Sequence, residues 1–75
     1  MPRLPRITGK EAIAALARAG FVNKGIRGSH HYMMHPENPS VVTIPVHARQ
    51  IIPPKTLKSI LDQAGLTVEE FIDLL

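Results

Sequence analysis

Arg27 and Gly28 alone separate two β-type segments, Phe21-Val22-Asn23-Lys24-Gly25-Ile26 and a second running from about Ser29 to His35. Parallel neighbours need a crossover of a dozen or more residues, so a connection this short allows only an antiparallel hairpin. Pro36-Glu37-Asn38-Pro39 then reads as a turn, with two prolines around an asparagine. Val41-Val42-Thr43-Ile44-Pro45-Val46 follows as a β-branched third strand, and Pro45 marks a sheet edge or the strand end.

Helical periodicity flanks this β block on both sides. Thr8-Gly9-Lys10-Glu11 has capping-box spacing, Ile13, Leu16 and Ala17 follow one apolar face, Ala12, Ala14 and Ala15 allow a close approach to a sheet, and Gly20 supplies the stop. Pro53-Pro54 opens a second helix with apolar Leu57, Ile60, Leu61 and Ala64, stopped at Gly65. Thr67 and Glu70 repeat the capping-box spacing for a short third helix, with Val68, Phe71, Ile72 and Leu75 as its buried stripe. The expected architecture is α+β: α-β-β-β-α with a short C-terminal helix, over one three-stranded antiparallel sheet. That is the order of the double-stranded-RNA-binding domain.

Seventy-five residues suit a single domain, residues 1–75, with one modest core. The absence of cysteine excludes a disulfide scaffold and thiolate metal sites, and no run approaches the ~18 apolar residues of a membrane span. The opening Met1-Pro2-Arg3-Leu4-Pro5-Arg6 has charge with no apolar core behind it, so no signal peptide is expected and a cytoplasmic location is the simplest reading. Charge is asymmetric: residues 1–31 hold six Lys/Arg against one acid, whereas residues 32–75 hold three against five. Arg3, Arg6, Lys10, Arg18, Lys24 and Arg27 are candidates for a phosphate-attracting face, with an ordinary solvated surface as the alternative.

The run His30-His31-Tyr32-Met33-Met34-His35, directly behind Gly28-Ser29, is where chemistry is most plausible. A histidine titrates near pH 6.5 and serves as a general acid or base near neutrality. A metal site is disfavoured: His31 and His35 share a strand face but stand about 13 Å apart, and His30 and His31 point to opposite faces. Proton transfer needs only one fixed imidazole. Beside RNA, it removes the proton of a ribose 2′-hydroxyl or protonates the leaving 5′-oxygen, with no metal or other cofactor. Basic side chains and the amides of the Gly28-Ser29 turn then stabilise the charge developing on phosphorus. The bland reading makes His30 and His31 surface residues, His35 a turn residue, and Tyr32 and Met34 core or partner-interface residues.

Gly28-Ser29-His30-His31, then Pro45-Val46-His47, then Thr56-Leu57 with Ile60-Leu61-Asp62-Gln63-Ala64-Gly65-Leu66 resemble the HicA toxin family of bacterial type II toxin-antitoxin systems. The similarity includes the first helix with its ending Ala19-Gly20-Phe21 and so covers nearly the whole chain. It implies a double-stranded-RNA-binding-domain-like fold and an endoribonuclease that cleaves mRNA, blocks translation and growth, and is neutralised by a HicB-type antitoxin. The family's catalytic histidine falls on His30, and the histidine after Pro-Val falls on His47, the second candidate. Lys55 stands where the family usually has glycine, which adds a positive charge at the start of the second helix.

The expected site therefore comprises His30 and His47 for catalysis, with Lys24, Arg27, Gly28, Ser29, His31, Arg49 and Lys55 for RNA. The rival is an RNA-binding module that cuts nothing, and a third option is a domain acting chiefly through its protein partner. Phe21, Tyr32 and Phe71 are too few for a base-stacking platform that reads sequence.

Overall fold

A computed structural model describes residues 3–75; Met1 and Pro2, which begin the segment read as lacking a signal, lie outside the described residues. The order is α1 (Gly9–Arg18), β1 (Val22–Arg27), β2 (His30–His35), β3 (Asn38–Pro45), α2 (Pro54–Ala64) and α3 (Val68–Asp73). The strands form one antiparallel sheet in the order β1-β2-β3. This is the expected α-β-β-β-α arrangement with a short helix appended.

Local chemistry sets the helix ends. Thr8 and Thr67 each accept from the backbone N–H three residues on, and Glu11 and Glu70 accept from the threonine N–H in return, completing both capping boxes. The bonds from the Thr67 backbone N–H, and secondly with its hydroxyl, hold the Glu70 carboxyl below its ordinary value of 4.5. Helix α2 has no side-chain cap; Pro53 precedes it, Pro54 opens it, and Gly65 closes it in the left-handed conformation.

Helices α1 and α2 cover one face of the sheet on the β3 side. Met33, Val42 and Ile44 face them and are buried with Ala12, Ala15, Leu16, Leu57, Ile60, Leu61 and Phe71. Strand β1 lies beyond this cover, and none of its residues is buried. Edge strand β3 is sealed in part by α2, whose Gln63 Oε1 accepts the Thr43 N–H at 3.0 Å. No helix is long and apolar enough to cross a membrane among the described residues.

Several local expectations need correction. The α1 stripe is Gly9, Ala12, Ala15 and Leu16, while Ala14 and Ala17 are exposed, because positions three and four apart share the one face that meets the sheet and those two fall off it. In α3 the contact residues are Val68, Phe71 and Leu74, whereas Ile72 and Leu75 are exposed, since a short helix touches the core through a narrow stripe. Strand β3 begins at Asn38: His35 pairs with Asn38, so the turn is Pro36-Glu37 and Pro39 sits in an edge strand, where its missing N–H costs no ladder bond. Arg27 belongs to β1, opposite His30, so the first hairpin loop is Gly28-Ser29. A bulge at Lys24 shifts the β1–β2 register by one residue between Asn23 and Gly25.

Candidate nucleic-acid interface and active site

Gly28 has φ 61° and is the first residue of a two-residue loop whose second, Ser29, has no positive φ. That pattern fits a type II′ turn, which calls for glycine at its first position. The turn delivers His30 as the first residue of β2, exposed and flanked by Arg27 on β1 and Pro45 on β3. Paired residues share a sheet face, and His31 pairs with buried Ile44, so His30 and Arg27 lie on the open face away from the helices.

The ladder continues past β3, where the Val46 N–H donates to Ser29 O at 2.7 Å. His47 follows, exposed, at the same end of the sheet as His30. The His47 segment is tethered on its far side as well: Ile52 N–H donates to Ile7 O at 2.8 Å, and Thr8 bridges Ile51. Close packing fixes it from below, because a Cβ on Gly9 would fall 2.3 Å from Pro45 O and 3.0 Å from Val46 Cα.

His47 lines a groove of about 340 Å³ with Pro45, Gln50, Ile51, Ile52, Pro53 and Thr56. Gln50 N–H donates to His47 O at 3.0 Å, closing a turn in which Arg49 adopts φ 59°. A non-glycine residue there costs about 1–2 kcal/mol. Lys55 is exposed in the first turn of α2, adjacent to Thr56. Arg49 and Lys55 are chain neighbours of the groove residues Gln50 and Thr56, while Arg27 lies opposite His30 and Lys24 three residues further along β1.

Two residues named from the sequence go elsewhere. His31 lies on the opposite face from His30, where its Nδ1 stands 3.2 Å from Asn23 Nδ2. Asn23 Oδ1 already accepts the Gly25 N–H at 3.0 Å, so the amide nitrogen faces His31 and makes Nδ1 the acceptor. Arg18 is not part of a basic face with Arg27: its guanidinium donates to Leu74 O at 2.7 Å, tying α1 to the end of α3.

His35 is also no turn residue. It closes β2, accepts the Glu37 N–H on Nδ1 at 3.0 Å, and meets Phe21 edge-on with ring centroids 5.2 Å apart. Among the described residues no three His, Asp or Glu side chains converge as metal ligands. Asn23, whose Oδ1 accepts the Gly25 N–H, was missed; the available signal was Gly25 inside a strand, the usual mark of a bulge.

These elements define a two-layer α+β protein with an open sheet face, at one end of which two exposed imidazoles and a guanidinium gather. The family model described as "HicA toxin of bacterial toxin-antitoxin" matches residues 9–66, from the start of α1 through the whole sheet and past the end of α2. The chain belongs to this family and is a toxin of a bacterial toxin-antitoxin system. No curated protein matches the sequence.

Proposed function

We propose that the protein is a metal-independent endoribonuclease that cleaves mRNA, with His30 as its general acid/base. The observation that carries this reading is an exposed His30, presented by a tight turn beside Arg27, in a chain of the HicA toxin family. His30 takes the proton of a ribose 2′-hydroxyl; the oxygen attacks the adjacent phosphorus, and the bond to the 5′-oxygen breaks. The products are a 2′,3′-cyclic phosphate and a 5′-hydroxyl, whose oxygen receives a proton from an imidazolium. His47, the second imidazole at this end, is the candidate for that donor. Arg27, with Lys24, Arg49 and Lys55 further out, balances the charge on the phosphate.

mRNA as substrate makes the cytoplasm the site of action. The antitoxin partner is proposed to be of the HicB type, and its gene is sought next to the toxin's. Incubation of purified protein with RNA in the presence of a chelator tests the activity. Cleavage by the native protein and none by His30→Ala supports the proposal; intact RNA with a salt-sensitive gel shift leaves a binding module instead. Co-expression with the adjacent reading frame tests the partner, which should copurify and suppress cleavage.

A further inference from the structure

The bulge in β1 decides which face Arg27 reaches. Asn23 pairs with Met33 and so lies on the helix side; strict alternation from there sends Gly25 and Arg27 to that side too. The extra residue at Lys24 reverses the parity, so Gly25 pairs with Tyr32, Ile26 with His31 and Arg27 with His30. The Asn23 carboxamide, accepting the Gly25 N–H, braces the bulge. His30, Tyr32 and Arg27 therefore share the open face.

Beside Arg27 and Tyr32 this face bears a shallow depression of about 580 Å³ that reaches over the β1 edge at Ile26 and is lined also by Lys24, Met34 and Val41. No residue of the three strands is acidic, so the sheet's fixed charge is entirely positive. A phosphate chain complements the two cations, while a half-buried phenol ring in one depression with Met34 and Val41 suits the face of an unpaired base. A duplex keeps its bases stacked inside and offers nothing to that ring. His30 and Tyr32 are two residues apart on one strand face, about 6.6 Å, a separation that one nucleotide spans.

Building on the ribonuclease reading, we propose that this open face holds single-stranded RNA: Tyr32 stacks on one base next to the cleaved bond, and Arg27 and Lys24 hold the adjoining phosphates. A single ring supplies grip and alignment, not a sequence-reading platform. Asn23 acts as a positioning residue, through the bulge that brings Arg27 to His30.

Tyr32 is the only tyrosine and the chain has no tryptophan, so intrinsic fluorescence reports on this ring alone. In a His30→Ala background, which keeps the RNA intact, a labelled single-stranded oligoribonucleotide should bind and quench that emission. The same strand annealed to its complement should bind on the order of tenfold more weakly, without quenching. Tyr32→Leu should weaken single-strand binding roughly tenfold and Tyr32→Phe restore it, read by anisotropy of the labelled RNA. Equal binding of the duplex with unchanged emission, or undiminished binding by Tyr32→Leu, overturns the proposal. Quenching by the co-expressed protein partner and not by RNA also overturns it, assigning the face to protein.

The two readings fail separately. Native protein that cuts RNA while Tyr32 emission stays constant removes this surface and leaves the ribonuclease. Quenching by single-stranded RNA without cleavage by native protein supports the surface and removes the ribonuclease.

Discussion

Strand β2 carries a histidine at each end, and the two ends put the same side chain to opposite uses. His35 is half-buried: its ring meets Phe21, Nδ1 accepts the Glu37 N–H, and Nε2 lies 2.9 Å from where a Cβ on Gly20 would stand. His30 is exposed on the open face, with no hydrogen bond to either ring nitrogen among the described residues. The difference is one of neighbours. At the His35 end the loop after α1 meets the ring through Gly20 and Phe21, whereas at the His30 end the two-residue Gly28-Ser29 turn leaves the ring on the open face. A histidine whose contacts are satisfied inside the protein stabilises it; one left facing solvent beside a cation is free to meet a substrate.

The largest test of this contrast is His30→Ala. Cleavage of RNA should fall by about 10²–10⁴-fold, as for loss of a general acid or base, and growth arrest on expression should vanish while the thermal midpoint barely moves. Retained toxicity moves the catalytic role elsewhere. A pair of arginines sharpens the contrast further. Arg27→Ala should weaken RNA binding roughly tenfold and lower its salt slope by about one, with stability kept. Arg18→Ala should leave binding unchanged but cost about 0.5–1.5 kcal/mol of stability through the lost bond to Leu74 O.

His35→Ala is the mirror experiment. It should destabilise by about 1–2 kcal/mol, read as a Tm drop of roughly 4–8 °C per kcal/mol, while the remaining folded protein cleaves RNA normally. Loss of cleavage in a folded His35→Ala protein breaks the comparison.

The smallest effect concerns Glu70, away from both ends of β2. Its carboxyl is held below 4.5 in the folded state, so its contribution is present above that value and fades as pH falls through the lowered one. A Glu70→Gln variant should lose part of the acid-side slope of thermal stability below pH 4.5 and keep the neutral-pH cleavage rate.

Much of this architecture was legible from residues close together in the chain. Thr8 with Glu11, Thr67 with Glu70, the Pro53-Pro54 start and the Gly65 stop each act within a few residues of a helix end, and all four behave as the spacing implied. The short connection around Gly28 likewise dictated an antiparallel hairpin. The β-type segment read from about Ser29 also put His30 near the head of a strand. What local pattern misjudged were the inward stripes of α1 and α3, because periodicity gives a helix an apolar face and only its neighbour decides which part of that face is covered.

The amino-acid order alone determined the elements, their sequence and the antiparallel sheet, since caps, turns and hairpins are held by interactions within a few positions. Tertiary structure decided which charges and rings meet. One unpaired residue at Lys24 inverts the side on which every later β1 residue lies, bringing Arg27 to His30 and leaving His31 with Asn23 behind the sheet. The fate of Arg18 was set by a carbonyl 56 residues away. Such outcomes depend on strand register and on contacts distant in sequence, which no short window of the chain contains.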